Sequence, residues 1–208
     1  MNKLLLLLVS VYSISFAHAQ DGYITRQGEV TFFSYTSVEN IQATNNQVLS
    51  LFYPSSSRIG VQILMRAFTF KKSLMYEHFN ESYIESDLYP KATFEGDIIG
   101  FDANQEGSQT RIIKGTFTLR DITKPIEMKA TIIKTNGAYT ISGELEVLIK
   151  DYEIKVPPIL SPNIAKNIQV SFKFQYVPND DQNKFLCTIL FLSMIQVIHA
   201  QDLLKALE

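Results

Sequence analysis

The stretch IQVSFKFQY, Ile168 to Tyr176, decides the fold. Ile168, Val170, Phe172, Phe174 and Tyr176 are apolar, and the residues between them, Gln169, Ser171, Lys173 and Gln175, are polar. Side chains of a strand point alternately to its two faces, so a period of two gives one dry face and one wet face. The same alternation recurs upstream. Tyr139, Ile141, Gly143, Leu145, Val147 and Ile149 share a phase, as do Ile126, Met128, Ala130 and Ile132, and again Ile113, Gly115, Phe117 and Leu119. One wet face per strand is the habit of antiparallel sheets.

The punctuation between these runs reads as hairpins. Asn136-Gly137 is a tight-turn pair, and Asp121-Ile-Thr-Lys-Pro125 reads as the preceding turn. Pro54-Ser-Ser-Ser57 separates strands expected at 41–53 and 58–70, and a polar loop at 102–109 separates strands at 91–101 and 110–121. The period breaks at 71–86, where Leu74, Met75 and Phe79 fall along one side of a short helix with Ser73 as its N-cap. Residues 151–165, with Pro157, Pro158 and Pro162, read as a loop, and the final strand spans 167–177. The expectation is an all-β domain of about eight strands and one short helix, closed as an up-and-down barrel or stacked as a sandwich. Gly115, Gly143 and Ala130 stand on dry faces, and Ala92, Gly96 and Gly100 share one phase. Small inward residues either leave a channel or mark bends where the sheet coils.

Both ends of the chain differ from this. Met1 to Gln20 carries Lys3, an apolar stretch from Leu4 to Phe16, and Ala17-His18-Ala19, the grammar of a secretory leader cut before Gln20. The expected organisation is a leader at 1–19, a domain at 20–178, and a polar linker with an apolar tail at 179–208. The tail's exit, Ile198-His-Ala-Gln-Asp202, echoes the leader's exit, Ala17-His-Ala-Gln-Asp21. Its apolar run is short for a membrane span and contains Gln196. We read it first as the start of a neighbouring exported protein, joined by read-through or a sequence error. A C-terminal membrane anchor and a packed helix are the alternatives.

Composition narrows the function. With 19 Lys and Arg against 21 Asp and Glu, the chain has no basic surplus to hold a phosphate backbone, so nucleic acid is not an expected partner. The only cysteine, Cys187, lies in the tail, and no disulfide can staple the domain. Phe and Tyr are plentiful and Trp is absent. No metal-binding or nucleophile motif is present, and His78 is the only histidine between residues 20 and 178. A histidine on a short helix beside Glu77 reads as a surface or packing residue more readily than as a catalytic one. Glu144 and Glu146 share a wet face with Lys150 and read as solvated, and Asp151-Tyr152-Glu153 opens a loop. Asn80-Glu81-Ser82 matches a glycosylation acceptor.

Three stretches carry a resemblance: FKKSLMYEHFNESYIESDLYPKATFEGDI from Phe70, GTFTLRDITKPIEMKATI from Gly115 and GELEVLIKDYEIKVPPILSPNIAKNIQVSFKF from Gly143. In the order and spacing of His78-Phe79, Glu81-Ser82, Tyr89-Pro-Lys-Ala-Thr-Phe94 and the Gly115-Thr-Phe-Thr-Leu119 strand, the chain resembles the YceI-like family of exported lipid-binding proteins. The likeness is loosest between Tyr23 and Tyr53. It implies an extended lipocalin-like antiparallel barrel, closed by a helix and holding an isoprenoid or fatty chain. It also implies that inward Phe32, Met65, Phe94, Phe117, Leu119, Met128, Leu145, Val147, Phe172 and Phe174 line the lumen. Arg120-Asp121-Ile122 departs from the His-Gly-Val-like turn of many members, and Tyr76 stands where a Trp or other aromatic is common.

The resulting expectation is a periplasmic or secreted, non-enzymatic carrier of a long apolar lipid, with no cofactor. Membrane contact through the tail and a homodimer are secondary expectations. A lipid hydrolase or isomerase using His78, and an adhesive β-sandwich without ligand, are the competing readings.

Overall fold

A computed structural model of the chain describes residues 22–35, 40–156 and 165–179. The expectations for the leader, for the polar linker beyond Asn179 and for the apolar tail fall outside them. The compact unit is Tyr23–Pro178, and it is a closed antiparallel barrel. Its strands are β1 (Tyr23–Ser34), β2 (Ile41–Tyr53), β3 (Arg58–Leu64), β4 (Thr69–Phe70), β5 (Lys91–Ile99), β6 (Gly107–Leu119), β7 (Ile122–Thr135), β8 (Ala138–Leu148) and β9 (Asn167–Pro178). The order β1-β9-β8-β7-β6-β5-β3-β2 closes through β1–β2 pairing, which runs from Tyr23↔Phe52 to Ser34↔Ile41. Two-residue β4 pairs with β2 outside the ring of eight. The sandwich alternative is thereby excluded.

The period-two faces land as their sequence dictates. Ile113, Ile132 and Ile141 are buried in one continuous core with Phe172, Phe174 and Tyr176. Opposite them, Lys114 and Glu127 meet as an ion pair on the wet face, 2.8 Å apart.

The punctuation needs four corrections. The β6–β7 turn is Arg120-Asp121, not Asp121 to Pro125: both residues take positive φ, 51° and 59°, as Asn136 and Gly137 do in the next hairpin. That backbone matches the twist of a two-residue hairpin. Thr123, Lys124 and Pro125 already belong to β7, where Pro125 lies opposite Thr116. Second, the strand expected at 58–70 breaks at a 3-10 turn, Met65–Ala67. Third, helix α1 (Ser73–His78) is capped at Lys72, with no side-chain cap hydrogen bond, so Ser73 is its first residue and not its N-cap. Fourth, Asn80 is not a glycosylation acceptor in the folded chain. It is 6% exposed; its Nδ2 donates to the Tyr76 carbonyl at 2.9 Å and its Oδ1 accepts from Ser86 Oγ at 2.8 Å.

The two barrel ends differ. At one end an aromatic plug fills the section: Phe52 lies 5.2 Å from Tyr139, 5.5 Å from Phe101 and 5.7 Å from Tyr176, centroid to centroid. Tyr176 is fully buried, and its hydroxyl pairs with Ser50 Oγ at 2.7 Å. At the other end α1 and the π turn that follows it (Phe79–Tyr83) cover the opening.

Candidate functional site

Beneath that cover lies a cavity of about 200 Å³. β1 contributes Val30, Phe32 and Ser34; β6 contributes Phe117 and Leu119; β8 and β9 contribute Val147, Ile168 and Val170. A second cavity of about 70 Å³ continues down the barrel and shares Val30, Ile63, Phe117, Val147 and Val170 with the first. The walls are carbon. Among the described residues lining either void, Ser34, His78 and Tyr83 are the only ones with polar side chains, and none is Lys, Arg, Asp or Glu.

All ten residues named from the sequence sit on these walls. Phe32, Met65 and Leu119 line the upper cavity, Phe94, Met128, Leu145, Phe172 and Phe174 line the lower one, and Phe117 and Val147 line both. The upper wall also includes residues the periodicity did not supply. Met75, Phe79, Tyr83 and Ile84 come from the helical cover, and Ile154 and Val156 from the segment after β8. A period of two carries no information about either segment.

The inward glycines neither open a channel nor simply mark bends. A Cβ at Gly143 would meet the Phe172 ring at 2.8 Å, one at Gly28 would meet the Phe174 ring at 2.6 Å, and one at Gly96 would meet the Phe94 ring at 2.6 Å. Each glycine makes room for a phenyl ring laid over bare backbone. The rings fill the middle of the barrel, and the larger void lies nearer the helix.

The cover is held by two devices. Phe79 stacks on Phe32, with centroids 5.3 Å apart and planes 20° apart, and lies 5.2 Å from Phe70 and 5.6 Å from Phe68. The π turn aims it there, through a hydrogen bond from the Ile84 N–H to the Phe79 carbonyl. Arg120 supplies the second device. Its guanidinium pairs with Glu85, donates to the Glu153 carbonyl at 2.6 Å, and lies 5.3 Å from the centre of the Tyr89 ring. One cation thus ties the β6–β7 turn to the end of the cover and to the segment after β8.

The side wall is incompletely zipped. Pairing of β7 with β8 runs from Thr135↔Ala138 to Lys129↔Glu144 and ends there, although β7 begins at Ile122 and β8 continues to Leu148. Pro125, which has no N–H to give, lies in this unpaired stretch of β7. Ile126, Met128, Leu145 and Val147, which flank the gap, line the lower cavity.

As for chemistry, the His78 side chain is exposed on its outer part and makes no hydrogen bond or ion pair among the described residues. Burial pushes the Tyr83 phenol above its ordinary range, which keeps it neutral. No group of metal-ligating side chains occurs among the described residues.

The YceI-like domain matches residues 12–176. No curated protein matches the chain. Among solved structures, the chain is similar to a polyisoprenoid binding domain from Saccharophagus degradans implicated in plant cell wall breakdown, with a TM-score of 0.66 at 11% identity over 76% of this chain and 99% of that one. It is similar to Burkholderia cenocepacia BcnA, with a TM-score of 0.62 at 14% identity over 72% and 96%. A Campylobacter jejuni YCEI protein follows, with a TM-score of 0.51 at 16% identity over 68% and 88%.

Proposed function

The chain belongs to the YceI-like family, and from that premise we propose that it is an exported, non-enzymatic carrier holding the apolar chain of a lipid in the barrel lumen. The observation that carries this reading is the pair of adjoining carbon-lined cavities beneath the helical cover. The polyisoprenoid-binding description of the Saccharophagus degradans domain supports the choice of ligand class.

Volume sets what the barrel takes as it stands. A cavity of about 150 Å³ accommodates one benzene, so the upper void of about 200 Å³ holds a ring-sized group or a short isoprenoid stretch. Seating more of a long chain requires the side chains common to both voids, Val30, Ile63, Phe117, Val147 and Val170, to give way between them. Ten buried carbons give about 8 kcal/mol gross at about 0.8 kcal/mol per carbon. Association costs about 4–15 kcal/mol. Useful affinity therefore needs a chain longer than the present void, or help from the head.

Mass spectrometry of an organic extract from the purified protein tests the proposal, together with uptake of phenylnaphthylamine, a neutral apolar dye. A co-purifying apolar lipid, displaced by the dye, is the expected result. No extractable lipid and no dye uptake would sink it. Turnover of the extracted lipid that disappears in His78→Ala would favour the enzyme reading.

A further inference from the structure

Ser34 is the last residue of β1, in phase with inward Val30 and Phe32, and lines the upper cavity. It is 2% exposed, and its Oγ finds no hydrogen-bond partner among the described residues. Buried hydroxyls are nearly always paired, since losing water without a replacement partner destabilises the fold. An alanine would fill the same place without that penalty, so the hydroxyl gives the empty barrel nothing. A trapped water is a poor remedy, because a held water wants two to four polar partners and, besides Ser34, only His78 and Tyr83 among the described lining residues carry polar side chains.

We propose that Ser34 is a specificity-determining residue, whose hydroxyl hydrogen-bonds a neutral oxygen, a carbonyl or a hydroxyl, on the lipid seated in the upper cavity. The inference rests on the carrier reading above and names the class of head it selects. Rotation about a single side-chain torsion swings Oγ among its staggered positions to meet such an oxygen. An ionised head is selected against: among the described residues no Lys or Arg lines either void, and a phosphate drawn in would lose its water without gaining a counter-ion from them. Tyr83, an uncharged residue whose phenol pKa burial raises further, lines the same cavity.

The test displaces phenylnaphthylamine with decanol, decane and decyl phosphate, on the wild type and on Ser34→Ala. The wild type is expected to prefer decanol to decane by about three- to tenfold, the yield of one net hydrogen bond. Ser34→Ala should abolish that preference while dye and decane affinities stay the same. The ligand-free variant should also melt higher by about 2–4 °C, because an unpaired buried hydroxyl has been removed. Opposite signs on stability and alcohol affinity are what a merely structural serine does not give. If the wild type binds decanol and decane alike, if the variant keeps the preference, or if decyl phosphate outbinds decanol, the assignment of Ser34 is overturned and the carrier reading stands. If neither dye nor decane binds the wild type, the carrier reading fails and the assignment fails with it.

Discussion

Gly115→Ala is expected to damage the barrel well beyond the effect of one methyl group. Gly115 faces Gly96 across the β5–β6 ladder, and the Phe94 ring lies over both. An added Cβ would stand 2.6 Å from Gly96 Cα and 2.8 Å from the Phe94 ring, and would run into the Glu95 carbonyl oxygen. Two of these three obstacles are backbone, which does not yield as a flexible side chain does. Overpacking of a core costs about 1–3 kcal/mol, and immovable neighbours put this site at the upper end. The alanine regains about 0.4–1 kcal/mol by restricting the unfolded chain, leaving a net loss of about 2 kcal/mol. At a urea dependence of about 2 kcal/mol per M, the midpoint falls by about 1 M. Because the chain has no Trp, the transition is followed by far-ultraviolet circular dichroism. Gly60→Ala is the matched control: it lies opposite Glu95 on the neighbouring strand, and nothing stands within 4 Å of its added Cβ. Its midpoint should hold steady or rise slightly. Equal shifts in the two variants would show that the rings do not need the bare backbone beneath them.

Two further outcomes follow from the buried phenol and the buried cation. Burial holds the Tyr176 hydroxyl far above the ordinary tyrosine range, only partly offset by its bond with Ser50. The unfolded phenol ionises near pH 10 while the folded one stays protonated. Stability is therefore intact below about pH 10 and falls above it, by up to about 1.4 kcal/mol per pH unit from this residue. Urea midpoints across that range should show Tyr176→Phe with a shallower alkaline decline, and about 1 kcal/mol weaker at neutral pH for the lost hydrogen bond; an unchanged decline would refute the assignment. Arg120→Met removes a cation whose side chain is 11% exposed, leaving the Glu153 carbonyl and Glu85 without it. Breaking a buried pair costs about 3–5 kcal/mol; because Glu85 is 40% exposed, about 2 kcal/mol is expected here. Limited proteolysis should then cut sooner within 149–156, and an unaltered digestion pattern would count against the clamp.

What the sequence disclosed and what it hid divide along a physical line. Strands with one face in the core write their burial into a two-residue rhythm, so Phe117, Leu119, Met128 and Val147 could be placed on the inward face from the sequence, and the family resemblance implied that this face lines a lumen. The Arg120-Asp121 turn could not, because neither residue is Gly or Asn and a nearby Pro125 advertises a turn more loudly. Pro125 is tolerated in β7 because β8 does not pair with that stretch, a fact of tertiary structure. Asn80 looks like a surface acceptor until the π turn folds its amide inward. Ser34 did carry a signal, as a polar residue in the apolar phase of β1. It lies where the family likeness is loosest and where the alternation is weakest. Met75 and Phe79 reach the cavity from the helix side that their four-residue spacing suggested, but Leu74, expected beside them, is exposed, and Ile84 follows a π turn whose inward positions have no simple spacing.

The early end of the β7–β8 ladder bears on how cargo could move. A wall paired along its full height opens only by rupturing ladder bonds; between Ile126 and Leu145 the ladder has already ended. On the carrier reading, the barrel therefore has two weak places in its enclosure, the helical cover held by Phe79 and this unladdered seam between β7 and β8.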